Sequence, residues 1–139
     1  MNDFKTLREI DYDLPNGFHD AFLETLTLNL VSNSAELRLE LWVGGPDGTT
    51  EEEREASKSA KLYLTDLVYF VIDPPGPGYK PPLGGDLWID AGDATDRSDP
   101  RFPKPLCDLP ADAFAYWFFI RDWNSYIHVA AKGASLEWL

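Results

Sequence analysis

His19 and Asp20 are adjacent, and His128 is the only other histidine in the chain. An imidazole beside a carboxylate can act as an acid–base pair or supply two ligands to a metal ion. Metal-dependent phosphohydrolases built on a His-Asp pair need further His and Asp ligands, usually displayed from helices, and a metal site needs three or more protein ligands. Here the pair lies at the mouth of a strand and the histidines run out at two. The simpler reading makes Asp20 an acceptor for backbone N–H groups where the strand begins, with His19 bonded locally. His128 falls within a strand on the face shared by Tyr126 and Ala130, the usual setting of a histidine satisfied inside a sheet. Only a fold that gathers His19, Asp20 and His128 into one cleft would make them the working set of a hydrolase. As binding residues the candidates are His19, Asp20, His128 and Trp123.

Other chemistry is poorly provided for. Asp86, Asp90, Asp93, Asp96 and Asp99 form an acidic run, but the spacing is mostly three. Calcium loops of the EF-hand type place ligands two apart, with a glycine at the sixth position and a glutamate at the twelfth. The run therefore reads as a solvated acidic loop. Glycines 76, 78, 84 and 85 are mixed with prolines and lack the Gly-Lys-Ser/Thr of a phosphate loop, and no Gly-x-Ser-x-Gly elbow occurs. Cys107, the single cysteine, sits in Pro105-Leu106-Cys107-Asp108; acidic and apolar neighbours raise a thiol pKa and disfavour a nucleophile. One cysteine allows neither an internal disulfide nor a multi-cysteine zinc site. We expect no catalytic residues, no metal and no cofactor.

Acidic residues outnumber basic ones 24 to 12, a formal net charge of -12. That excess argues against nucleic-acid and anionic-membrane partners, which require Lys and Arg. It suits a soluble protein, or one that meets a basic protein partner by long-range attraction; a homo-oligomer is compatible. Met1–Ile10 lacks the apolar segment of a signal peptide, and no apolar run approaches the ~20 residues that span a bilayer. A cytoplasmic location is expected.

The elements that must hold these residues are mostly strands. At 139 residues the chain fits one domain, 1–139. Phe4, Leu7 and Arg8 share a face at helical spacing, so Asp3 to Ile10 is expected to form a short helix capped by Asp3. Leu14-Pro15-Asn16-Gly17 turns the chain. In an extended chain beyond it, Phe18, Asp20 and Phe22 would share one face, and a carboxylate there must be hydrogen-bonded. Leu26, Leu28 and Leu30 then alternate with polar residues, as do Leu37, Leu39, Leu41 and Val43, with Ser32-Asn33-Ser34 between them. This pattern predicts an antiparallel hairpin, Phe22 to Val43. Thr49 to Ser59 is an acidic excursion or brief helix carrying Glu51, Glu52, Glu53 and Glu55. Leu62 to Ile72 reads as a strand bulged near Asp66 and buried on both faces toward its end. Residues 73–85 hold five prolines and must be a loop. Leu87 to Ala91 is a short strand, Gly92 to Asp112 a polar connection, and Phe114 to Trp138 a second hairpin turning at Asn124-Ser125. The aromatic strand of that hairpin is apolar on both faces, to be covered by loops or by a partner. The fold expected is mainly β, an antiparallel β-sandwich or strongly curved sheet of about six strands with long Pro/Gly-rich loops.

Gly17-Phe18-His19-Asp20-Ala21, followed by a hairpin of alternating leucines, resembles small bacterial β-rich proteins with an N-terminal Phe-His-Asp motif. Some of these are grouped with immunity proteins of polymorphic toxin systems. Ala115-Tyr116-Trp117-Phe118 and Asp122-Trp123-Asn124-Ser125-Tyr126-Ile127-His128-Val129 extend the likeness to about half the chain. The proline loop and the Asp-rich stretch lie outside it. The resemblance implies a β fold and a non-catalytic role, and it carries no catalytic residues across. The function expected is a protein-interaction module, immunity-protein-like; the alternative is a small-ligand-binding protein or a hydrolase using His19, Asp20 and His128.

Overall fold

A computed structural model describes residues 4–81, 86–95 and 108–139. Six antiparallel strands make one closed sheet in the order β1-β2-β3-β6-β5-β4. They are β1 (Ala21–Asn29), β2 (Ser34–Trp42), β3 (Ser57–Ile72), β4 (Leu87–Ala94), β5 (Phe114–Ile120) and β6 (Ser125–Trp138), with short helices α1 (Leu7–Asp13) and α2 (Glu51–Arg54). The expected antiparallel, mainly β class is what forms. In place of a two-sheet sandwich, the sheet curves until β1 pairs with β4, Ala21–Leu23 against Leu87–Ile89.

Period-two alternation fills the barrel. Leu37, Leu39 and Leu41 of β2, Ala60, Leu62 and Leu64 of β3, and Ile127, Val129 and Ala131 of β6 are all buried in one cluster. Tyr116, Phe118 and Ile120 of β5 complete it. The outward positions between them are charged and paired across strands: Arg38 Nε lies 3.1 Å from Glu24 Oε2, and Lys61 Nζ 3.1 Å from Glu36 Oε1. Burial pushes the Tyr116 phenol pKa up, with Asp11 and Asp93 adding to the shift. Its hydroxyl makes no hydrogen bond among the described residues.

The N-terminal helix begins later than expected. Thr6 caps it, its hydroxyl accepting from the Glu9 N–H while the Glu9 carboxylate accepts from the Thr6 N–H. This reciprocal box outcompetes a start further upstream; Asp3 lies outside the described residues. Leu7 and Ile10 are buried on the barrel core, against which α1 packs through β4, β5 and β6.

Two hairpin features also differ from the alternation rule. The β1–β2 register slips between Leu23 and Thr25, so Glu24 is a bulge that flips the parity of the residues after it. Leu26 reaches the core, but Leu28, near the end of β1, is exposed, and Leu30, beyond the strand, is 87% exposed. β3 is bulged as expected, with Asp66 at φ 51 and a register slip between Leu67 and Tyr69. Its end is not buried on both faces as expected: no residue after Leu64 is fully buried, and Val68 and Ile72 are exposed. On the outer face of β5 and β6, Leu109 packs over Ala115 and Ala130 beside Tyr69. No helix among the described residues is long and apolar enough to cross a membrane.

Candidate functional site

Phe18-His19-Asp20-Ala21 forms a tight turn closed by the Ala21 N–H donating to the Phe18 carbonyl at 3.1 Å. Asp20, the third residue, has φ 61. Gly, Asn and Asp tolerate that region best, which explains the residue type. The expected extended run therefore does not form, and Phe18, Asp20 and Phe22 do not share a face. Phe18 turns inward, its ring edge-on to Phe118 at 5.3 Å. Phe22 points outward, and Asp20 sits between them at the surface.

Four bonds anchor the turn. The Phe18 N–H donates to Asp11 Oδ1 at 2.8 Å, tying it to α1. Asn16 Nδ2 donates to the carbonyls of Trp42 (3.0 Å) and Gly44 (2.8 Å), tying it to the end of β2. His19 Nδ1 donates to the Asp90 carbonyl of β4, and its Nε2 lies 3.3 Å from Asp20 Oδ2.

Asp20 then fixes two tryptophans from different strands. The Trp42 indole N–H donates to the Asp20 carbonyl at 2.7 Å, and the Trp88 indole N–H to Asp20 Oδ1 at 3.0 Å. Phe22 packs against Trp88 with ring centroids 5.8 Å apart. Arg121 lies 4.5 Å from the Trp88 ring centroid, and the Trp88 amide donates to Asp122 Oδ2 at 2.7 Å. Trp88 is thus held by the turn after β5 as well as by Asp20.

These side chains wall a cavity of about 460 Å³ lined by Asn16, His19, Asp20, Phe22, Trp42, Trp88, the Gly44-Gly45-Pro46 loop, Arg54 and Glu55. Its far rim is the end of α2. A Cβ on Gly44 would collide with the Arg54 carbonyl, so glycine allows the loop and the helix to meet. The Arg54 guanidinium donates to the Gly48 carbonyl at 3.2 Å. Glu55 has no ion-pair partner among the described residues. Outside Phe22, the carboxylates of Glu24, Glu40 and Asp86 offer oxygens within 4.8 Å of one another; Glu40 is opposite Phe22 in the β1–β2 register.

The lining offers aromatic faces, hydrogen-bonding groups and carboxylates. Among the described residues its ionisable side chains are His19, Asp20, Arg54 and Glu55. Asp20 Oδ1 is engaged by the Trp88 indole, and Oδ2 lies 3.3 Å from His19 Nε2.

Of the four sequence candidates, His19 and Asp20 come together in this cavity, while His128 and Trp123 do not line it. β6 lies directly across the barrel from β1. His128, with its side chain 7% exposed, places Nε2 at 3.1 Å from Asp73 Oδ2 and stacks on Tyr126 at 5.7 Å. The Trp123 carbonyl accepts from the Gly76 N–H at 2.8 Å, and its ring meets Tyr79 edge-on. Together they dock the proline loop on the β5–β6 end, a positioning role. Cys107, Asp96 and Asp99 lie outside the described residues. Sequence reasoning missed Phe22, Trp42 and Trp88 as walls. The available signal was Trp42, a large aromatic on the otherwise charged parity of β2 after Glu36, Arg38 and Glu40. No known protein family, no curated protein and no solved structure matches the chain.

Proposed function

We propose that the protein is a non-catalytic interaction module that presents the Phe-His-Asp cavity to a basic protein partner. The observation carrying this reading is the convergence of both indole N–H groups on Asp20, which stations aromatic walls from β2 and β4 around one opening. Rigid aromatic anchors around a pocket are what recognition surfaces use. Beside the cavity α2 is mainly acidic: Glu51, Glu52 and Glu53 form its first turn and Glu55 follows it, against the single Arg54. With a net charge of -12, the surface favours a basic partner and speeds encounter with it.

The resemblance of Gly17-Phe18-His19-Asp20-Ala21 to immunity-type proteins suggests the specific form, a cover for a basic toxin surface. A second reading, small-ligand binding in the same cavity, is favoured by its volume, which lies within the ordinary range for ligand sites. Affinity capture from native-host extract at low salt tests the first reading, comparing the natural chain with one in which Glu51, Glu52, Glu53 and Glu55 are all replaced by Gln. A basic protein retained by the natural chain, released by salt and lost with the quadruple variant is expected. Retention indifferent to both salt and the four substitutions would overturn it.

A further inference from the structure

Resting on that reading, we infer that the cavity takes a cationic side chain of the partner, a lysine ammonium or arginine guanidinium, against the Trp42 face. Three observations carry the inference. First, indoles are the strongest cation–π acceptors among side chains, and the attraction grows when the site is shielded from water. One side of the wall already shows this chemistry within the molecule, since Arg121 covers Trp88 at 4.5 Å from its centroid. Trp42 has no such internal cation among the described residues and borders the cavity directly.

Second, the indole N–H dipoles are turned away from any incoming donor. Both are spent on Asp20. With those donors spent, the indole rings themselves are what remain to meet a ligand, and aromatic faces attract cations. Third, two carboxylates, Asp20 and Glu55, line the cavity against one guanidinium, Arg54. Glu55 stands at the rim without an ion-pair partner among the described residues. The opposing cation, Arg54, is directed to the Gly48 carbonyl. An anionic ligand would meet Glu55 and Asp20 and gain only His19 and Arg54.

The test uses the full chain with its tryptophan indoles labelled with ¹⁵N, titrated with tetramethylammonium, n-butylammonium or n-propylguanidinium. Neopentyl alcohol serves as a neutral isostere, and butyrate as an anion. We expect the Trp42 indole signal to shift saturably with the cations and to stay unmoved by the alcohol and butyrate. The ammonium and guanidinium arms tell a lysine-type from an arginine-type occupant. Glu55→Gln, at the exposed rim, should weaken cation binding about two- to fivefold, the range of an exposed ion pair. With the Trp88 indole, bonded to the same Asp20, as the reporter in both chains, Trp42→Leu should lose the cation response seen in the natural chain, with far-ultraviolet circular dichroism reporting whether the barrel persists.

Equal shifts from the neutral isostere, shifts confined to Trp117, Trp123 or Trp138, or no shift at all would overturn the inference. A basic partner that still binds in a salt-dependent manner while the cations leave Trp42 unmoved would remove this inference alone. Loss of both removes the functional reading too.

Discussion

Replacing Asp20 separates its role as a scaffold from a role as a ligand-binding group. In Asp20→Ala the Trp88 indole loses its acceptor at 3.0 Å. A stranded buried donor costs about 1–3 kcal/mol. Because the Asp20 side chain is 42% exposed, water can reach the site, and the lower end, about 1 kcal/mol, applies. The backbone adds a second cost. At φ 61 an alanine sits in the left-handed region, at about 1 kcal/mol or more. The Trp42 bond goes to the Asp20 carbonyl and survives the change. Asp20→Ala should therefore lose about 2 kcal/mol, a fall in Tm of roughly 6–10 °C for a domain of this size. Asp20→Gly loses the acceptor but suits the backbone, so it should lose about 1 kcal/mol. Asp20→Asn keeps an acceptor and tolerates the turn, and should cost least. Thermal unfolding followed by circular dichroism, with indole N–H spectra of Trp88, gives the ranking. An unchanged Tm in Asp20→Ala together with lost partner binding would refute the scaffold role and make Asp20 a contact residue.

Tyr116→Phe removes a buried hydroxyl that makes no hydrogen bond among the described residues, so it should be neutral or stabilise by up to about 1 kcal/mol in urea unfolding; a clear loss of stability would reveal a partner for the hydroxyl. The same group sets an alkaline limit. Its folded pKa is raised, so the unfolded chain gives up this proton first. Its contribution is fully present below the ordinary phenol value of about 10 and is lost as pH rises above it. Tyr116→Phe should flatten that decline, and an unchanged slope between pH 10 and 12 would contradict the burial. Gly44→Ala forces the loop away from the Arg54 carbonyl and should cost about 1–3 kcal/mol while weakening any ligand response of Trp42; full stability with full binding would show that the α2 contact is dispensable.

Much of the barrel is legible from alternation. Leu37, Leu39 and Leu41 on one parity, with Glu36, Arg38 and Glu40 on the other, dictate a half-buried strand wherever β2 lies. Closure was not legible, because β1–β4 pairing joins residues far apart in the chain across only Ala21–Leu23. The Glu24 bulge was hidden as well; one extra residue reverses which leucines face inward, and composition does not mark it. At the site, His19 and Asp20 stand out by type. The left-handed turn does not, since aspartate also suits extended strands and caps. The walls come from β1, β2 and β4, so only the three-dimensional register reveals that Phe22, Trp42 and Trp88 surround Asp20.

Site-directed photo-crosslinking in the native host tests the central claim most directly. A benzoylphenylalanine placed at Phe22 reports from inside the cavity, and one at Tyr12, 88% exposed on α1, reports from the surface outside it. The account predicts that the Phe22 position captures one basic protein and that this adduct disappears in the Glu51, Glu52, Glu53 and Glu55 to Gln background, with no such adduct from Tyr12. Capture of that partner from Tyr12 while the Phe22 position stays silent would contradict it.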